Sequence, residues 1–94
     1  MASLTGKGFS FIAMPNPYFG ATTISLTLSQ DAEVKLELIS VLGQVVGVLE
    51  NGLKSEGAYT FEFSSSKYGL NKGVYTIRLS VDGETSFIKL LELE

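Results

Sequence analysis

Apolar and polar positions alternate with a period of two along much of this 94-residue chain. In ATTISLTLS, Ile24, Leu26 and Leu28 fall on one side and Thr23, Ser25 and Thr27 on the other. EVKLEL sets Val34, Leu36 and Leu38 against Glu33, Lys35 and Glu37, and AYTFEFS sets Tyr59, Phe61 and Phe63 against Thr60, Glu62 and Ser64. VYTIRLSV repeats the pattern, with Tyr75, Ile77, Leu79 and Val81 against Val74, Thr76, Arg78 and Ser80. Successive side chains of a strand point to opposite faces, so each stretch predicts a strand with one buried and one wet face. FSFIA, QVVGVLE and SFIKLLEL add three further strands.

The residues between these stretches are turn formers. Pro15-Asn16-Pro17 ends the first strand, because proline cannot donate to a ladder. Leu42-Gly43-Gln44 predicts a tight corner, Asn51-Gly52 to Gly57 a longer loop, and Ser64 to Lys72 the longest polar connection. Asp82-Gly83 is the signature of a two-residue type I′ hairpin, whose central positions both need a positive φ. There is no helical periodicity and no internal repeat. The fold class expected is all-β, an immunoglobulin-like antiparallel β-sandwich of about seven strands.

Composition narrows the function. An apolar fraction of 45% supplies a core and argues against disorder. Ten acidic against seven basic side chains, the latter scattered singly, give no patch for nucleic acid or an anionic membrane. No apolar run approaches the ~20 residues that span a bilayer, so membrane insertion is not expected. Cys and His are both absent, which removes thiol nucleophiles, Cys/His zinc sites, disulfides and imidazole bases together.

What chemistry remains is thin. Asp31 with Glu33, and Asp82 with Glu84, read as solvated charges, since they lack the dense spacing of a calcium loop. Ser64 to Ser66 has no base beside it, and the glycines form neither GxGxxG nor a P-loop. No enzyme activity, cofactor or metal is expected. Tyr18, Phe19, Tyr68 and Tyr75 offer rings on which a sugar could stack. They give an alternative reading, an accessory immunoglobulin-like or fibronectin-type-III-like module of a carbohydrate-active enzyme, serving as spacer or weak sugar binder. Against it, Tyr75 belongs to an inward set, and Tyr18 and Phe19 are expected to fold back and plug the end of the sandwich.

The order of motifs carries more than any one of them. PNP at 15–17, VLGQVV at 41–46, Gly57 in SEGAYTFEF, GVYTIRL at 73–79 and FIKLL at 87–91 follow one another as in a known family. With that spacing, residues 9–92 resemble the type A C-terminal sorting domains of proteins secreted by the type IX system of Bacteroidetes. The resemblance implies a recognition module carried at the end of an exported cargo. Its implied partners are the upstream cargo, the outer-membrane translocon that recognises it in the periplasm, and a surface sortase that cuts it off. The implied destination is the outer membrane, the cell surface or the medium. It implies that recognition falls on Gly73, Tyr75, Lys89, Leu90 and Leu91. The chain departs from the family pattern in having Ile88 before Lys89 and Glu92 close to its end. Residues 1–8 read as a cloning remnant and linker, and 93–94 as a cloning remnant. An apolar terminal strand is also an edge through which two copies are expected to pair as a dimer.

Overall fold

The computed structural model describes the backbone of residues 2–6 and 8–93 and the side chains of residues 8–93. Among the described residues there are nine strands and one short 3₁₀ turn. They are β1 (Ala2–Gly6), β2 (Phe9–Met14), β3 (Tyr18–Phe19), β4 (Thr22–Leu28) and β5 (Ala32–Ile39). β6 (Val45–Lys54), β7 (Gly57–Phe63), β8 (Val74–Val81) and β9 (Glu84–Leu93) complete the set, with the 3₁₀ turn at Ser65–Tyr68. A four-stranded sheet in the order β1-β2-β4-β7 faces a five-stranded sheet in the order β3-β9-β8-β5-β6. All pairs are antiparallel except β3 with β9. The all-β sandwich is therefore as expected, with β1 and β3 added to the seven strands that the pattern predicts. Neither added strand carries an apolar alternation of its own.

The alternation in the sequence becomes the core. Ile24, Leu26 and Leu28 from β4 are buried, as are Val34, Leu36 and Leu38 from β5. They meet Tyr75, Ile77, Leu79 and Val81 from β8, and Phe9, Phe11 and Ala13 from β2. Phe63 sits at the centre of an aromatic group, its ring 6.0 Å from that of Tyr75, 5.7 Å from Tyr68 and 6.5 Å from Tyr18. Tyr59 and Phe61 are only half-buried, because β7 is an edge strand with a neighbour on one side alone.

Three expectations need correction. Glu37 was assigned to a wet face, yet it is buried on the outside of the five-stranded sheet. Arg78 covers it, the guanidinium donating to Glu37 Oε1 at 2.9 and 2.8 Å, with the Lys35 ammonium 3.4 Å from Oε2. Burial works to raise the Glu37 pKa, but these two cations outweigh it and hold the carboxyl below its ordinary value. Asn51-Gly52 does not open a loop: β6 continues to Lys54, because Asn51 and Gly52 pair with Lys35 and Val34. Pairing with a buried central strand overrides the local turn signal. Phe19 is 70% exposed and plugs nothing, whereas Tyr18 is buried in the core.

The β8–β9 hairpin matches expectation. Val81 pairs with Glu84 across Asp82-Gly83, whose φ angles are 48° and 86°. From there β9 runs back along β8, placing Tyr75 opposite Leu90 and Val74 opposite Leu91.

Candidate functional site

Gly73, Tyr75, Lys89, Leu90 and Leu91 meet at one end of the sandwich, where β8 begins and β9 ends. Gly73 has φ of +145°, a conformation that L side chains rarely adopt, and a Cβ there would meet no atom within 4 Å. Its backbone, rather than lack of room, demands glycine. The Gly73 carbonyl accepts the Glu92 N–H at 2.9 Å, which ties the start of one strand to the end of the other. The Tyr75 hydroxyl donates to the carbonyl of Asn71, closing the preceding loop as a tyrosine corner does in immunoglobulin-type sandwiches.

Tyr75 and Leu90 are buried, while Lys89 is exposed and Leu91 half-exposed. The five residues thus divide by role. Tyr75 and Leu90 are core, and Gly73 shapes the corner. Lys89 and Leu91 face outward on the five-stranded sheet, where solvent or a partner meets them.

Two residues that pattern reasoning left out hold this end of β9 in place. Asn16, from the Pro-Asn-Pro corner, donates its Nδ2–H to the Lys89 carbonyl at 2.7 Å and accepts the Leu91 N–H on Oδ1 at 3.2 Å. One side chain so makes the two bonds that a neighbouring strand would make. Immediately beyond it, Tyr18 and Phe19 pair in parallel with Glu92 and Leu93. Both X-Pro bonds of the corner, Met14–Pro15 and Asn16–Pro17, are cis.

Glu92 is the second. It is 3% exposed and accepts the Ser65 N–H at 2.9 Å and the Ser65 hydroxyl at 2.6 Å. Burial pushes its pKa up, but the bonds from Ser65, the neighbouring Tyr18 hydroxyl and the charge of Lys72 outweigh that and hold it below the ordinary value. Tyr18 responds in the opposite sense. Its hydroxyl is buried without a hydrogen bond of good geometry, and burial, then the Glu92 carboxylate, push its pKa above the usual range. Glu92 lies in an apolar strand and Asn16 in a turn, so neither has a pattern that marks it. The one signal in the sequence was an acidic residue where a buried phase of β9 falls.

Asp31 and Asp82 have structural roles. Asp31 Oδ1 accepts the Glu56 N–H and Asp82 Oδ1 the Glu33 N–H, both at 2.8 Å, so each ties its own turn to a distant part of the chain. Among the described residues no group of three or more acidic side chains is placed to hold a metal ion. Tyr18 and Tyr75 point into the core and Tyr68 is half-buried against Phe63, so of the four rings only Phe19 is exposed.

Fold and site together describe a β-sandwich whose last strand, β9, is fastened at one end by Asn16 and Ser65. Residues 13–92 match the family described as the secretion system C-terminal sorting domain. The chain belongs to this family, the sorting domains of type IX secretion. Curated proteins and solved structures gave no match. The family is one of sorting signals and not of catalysts, and membership implies an upstream cargo, interaction with the secretion machinery, and export to the cell surface or beyond.

Proposed function

We propose that this domain is recognised in the periplasm by the outer-membrane translocon of the type IX system, and that a surface sortase then separates it from the cargo it has delivered. Recognition falls on the end of the sandwich where Gly73, Lys89 and Leu91 lie, with Tyr75 and Leu90 supporting it from inside. The observation that carries this reading is that five residues from two separate motifs come together around one fastened strand end.

The test is a secretion assay. The full chain, residues 1–94, is fused behind a signal peptide and a fluorescent reporter, in a type IX-competent bacterium and in a mutant lacking its translocon. Release or surface display in the competent strain alone is the expected result. Reporter held in the periplasm of both strains, with the domain folded, overturns the proposal. Point substitutions are the sharper follow-up, because deleting residues 88–92 would remove the core side chains Ile88 and Leu90.

A further inference from the structure

We infer that the open edge of β9, from Thr85 to Lys89, takes an extended strand from the secretion machinery, and that Asn16 fixes where that strand stops. This rests on the sorting function proposed above and names the surface through which it works.

The argument starts from main-chain direction. In an antiparallel pair, alternate residues turn their N–H and C=O groups toward the partner strand and the residues between turn theirs away. The Glu92 N–H reaches Gly73 on the β8 side. The Lys89 carbonyl and the Leu91 N–H reach Asn16 on the other side. Even-numbered residues of β9 therefore face β8, and odd-numbered ones face the outer edge. Along that edge Asn16 and β3 satisfy the positions from the Lys89 carbonyl onward. Among the described residues, β1 and β2 of the facing sheet come close to β9, but no strand pairs with the edge groups of Thr85 and Phe87 or with the Lys89 N–H.

Exposed edges are ordinarily blunted by bulges, prolines or charge. β6 follows that rule, with two register breaks against β5. β7 turns Ala58, Thr60 and the charged Glu62 outward. The Glu84–Lys89 stretch of β9 has neither proline nor bulge, its register with β8 is unbroken, and its charges, Glu84 and Lys89, lie only at its two ends, with Phe87 between them at 55% exposure. An unpaired run of N–H and C=O groups is complemented by an extended chain and by little else, which is the chemistry of strand addition. Thr85 to Lys89 spans about 13 Å at strand rise. The segment it takes is therefore short, with a β-branched or aromatic side chain beside Phe87 and a polar or acidic one beside Lys89.

A second copy of this chain fits less well. Two-fold pairing centred on Phe87 would set Glu84 of the copy opposite Leu90, between the two main-chain groups that Asn16 already occupies. The edge is stopped at one end only, which suits a short strand from a different protein.

The experiment uses the reporter fusion in the competent strain. Thr85→Pro removes one outward N–H without touching the β8 ladder, as edge prolines do. Thr60→Pro does the same on the outer edge of β7 and is the control. Secretion reduced tenfold or more by Thr85→Pro, with Thr60→Pro like wild type and both melting as folded domains, is the expected result. Phe87→Thr keeps the N–H and the strand propensity, and is expected to reduce secretion severalfold; it decides the matter alone if Thr85→Pro does not fold. Wild-type secretion by Thr85→Pro and Phe87→Thr overturns the inference while leaving the sorting role intact. Self-association that Thr85→Pro abolishes without changing secretion also overturns it and assigns the edge to a second copy. Failure of the wild-type fusion itself is a different result, and overturns the sorting role first.

Discussion

Asn16 and Lys89 stand 73 positions apart and are joined by a 2.7 Å hydrogen bond from a side-chain amide to a main-chain carbonyl. The same amide group accepts the Leu91 N–H. An asparagine held in a turn thus acts as a piece of strand, and it does so near the end of β9.

Replacing Asn16 by Ala leaves those two main-chain groups to water and is expected to cost about 1–2 kcal/mol. For a domain of this size that corresponds to a fall in Tm of roughly 4–8 °C per kcal/mol. Hydrogen exchange gives the specific readout, since the Leu91 amide should lose protection while those of Ile77 and Ile88, paired with each other, keep theirs.

Glu92 makes stability depend on acid. Its folded pKa lies below that of an ordinary glutamate, so the unfolded chain takes up the proton first as pH falls. The stabilisation is complete above the ordinary value of about 4.3 and is lost as pH drops through the lower folded value. Glu92→Gln is expected to cost about 1–3 kcal/mol at neutral pH. Melting curves at pH 7 and pH 3 should show a smaller acid-induced fall for Glu92→Gln than for wild type. Glu37 and Glu50, whose pKa values are also lowered, leave a residual slope in both.

The five motif residues should separate cleanly by assay. Leu90→Ala removes a fully buried side chain and is expected to cost about 2–5 kcal/mol, lowering secretion through loss of fold. Lys89→Ala touches only an exposed side chain and should change stability by less than about 0.5 kcal/mol. A drop in secretion by folded Lys89→Ala, measured beside its unchanged Tm, is the outcome expected of a recognition contact.

Gly73→Ala has room for its methyl group but not the right backbone. A strained φ of this kind costs about 1–3 kcal/mol, visible as a lower urea midpoint with an unchanged m-value.

Arg78→Met should strand the Glu37 carboxylate beneath the sheet surface, with only the longer Lys35 contact left, and cost about 2 kcal/mol. Replacing both Glu37 and Arg78 by Thr should recover most of that loss, because two matched neutral residues leave no buried charge behind. Urea denaturation of the two variants measures the difference.

Periodicity made the sandwich legible. Ile24, Leu26 and Leu28, or Ile77 and Leu79, announce their burial by alternation alone, and Asp82-Gly83 announces its turn by the φ angles it needs. Periodicity is silent about residues whose partners are remote. Glu37 looks like any outward charge until Arg78 arrives from β8 to cover it, and Asn16 looks like turn punctuation until β9 reaches it. Family order reached Gly73, Tyr75 and Lys89 to Leu91, which the fold brings together at one end of the sandwich. It did not separate the two core residues among them from the exposed ones, since that division depends on the phase of β9 against β8. Glu92 reads from sequence as a departure from the family pattern. In the fold it is a buried latch on Ser65.

The last strand also sets a time at which the domain can exist. β9 supplies Ile88 and Leu90 to the core, and its end is bolted to Asn16 near the start and to Ser65 in the middle. Chains are made from the amino terminus onward, so none of these joints can close until β9 itself has been made. A chain cut short before β9 would leave the sandwich without Ile88, without Leu90 and without either joint. The strand that comes last in the domain is, in this sense, the one that closes it.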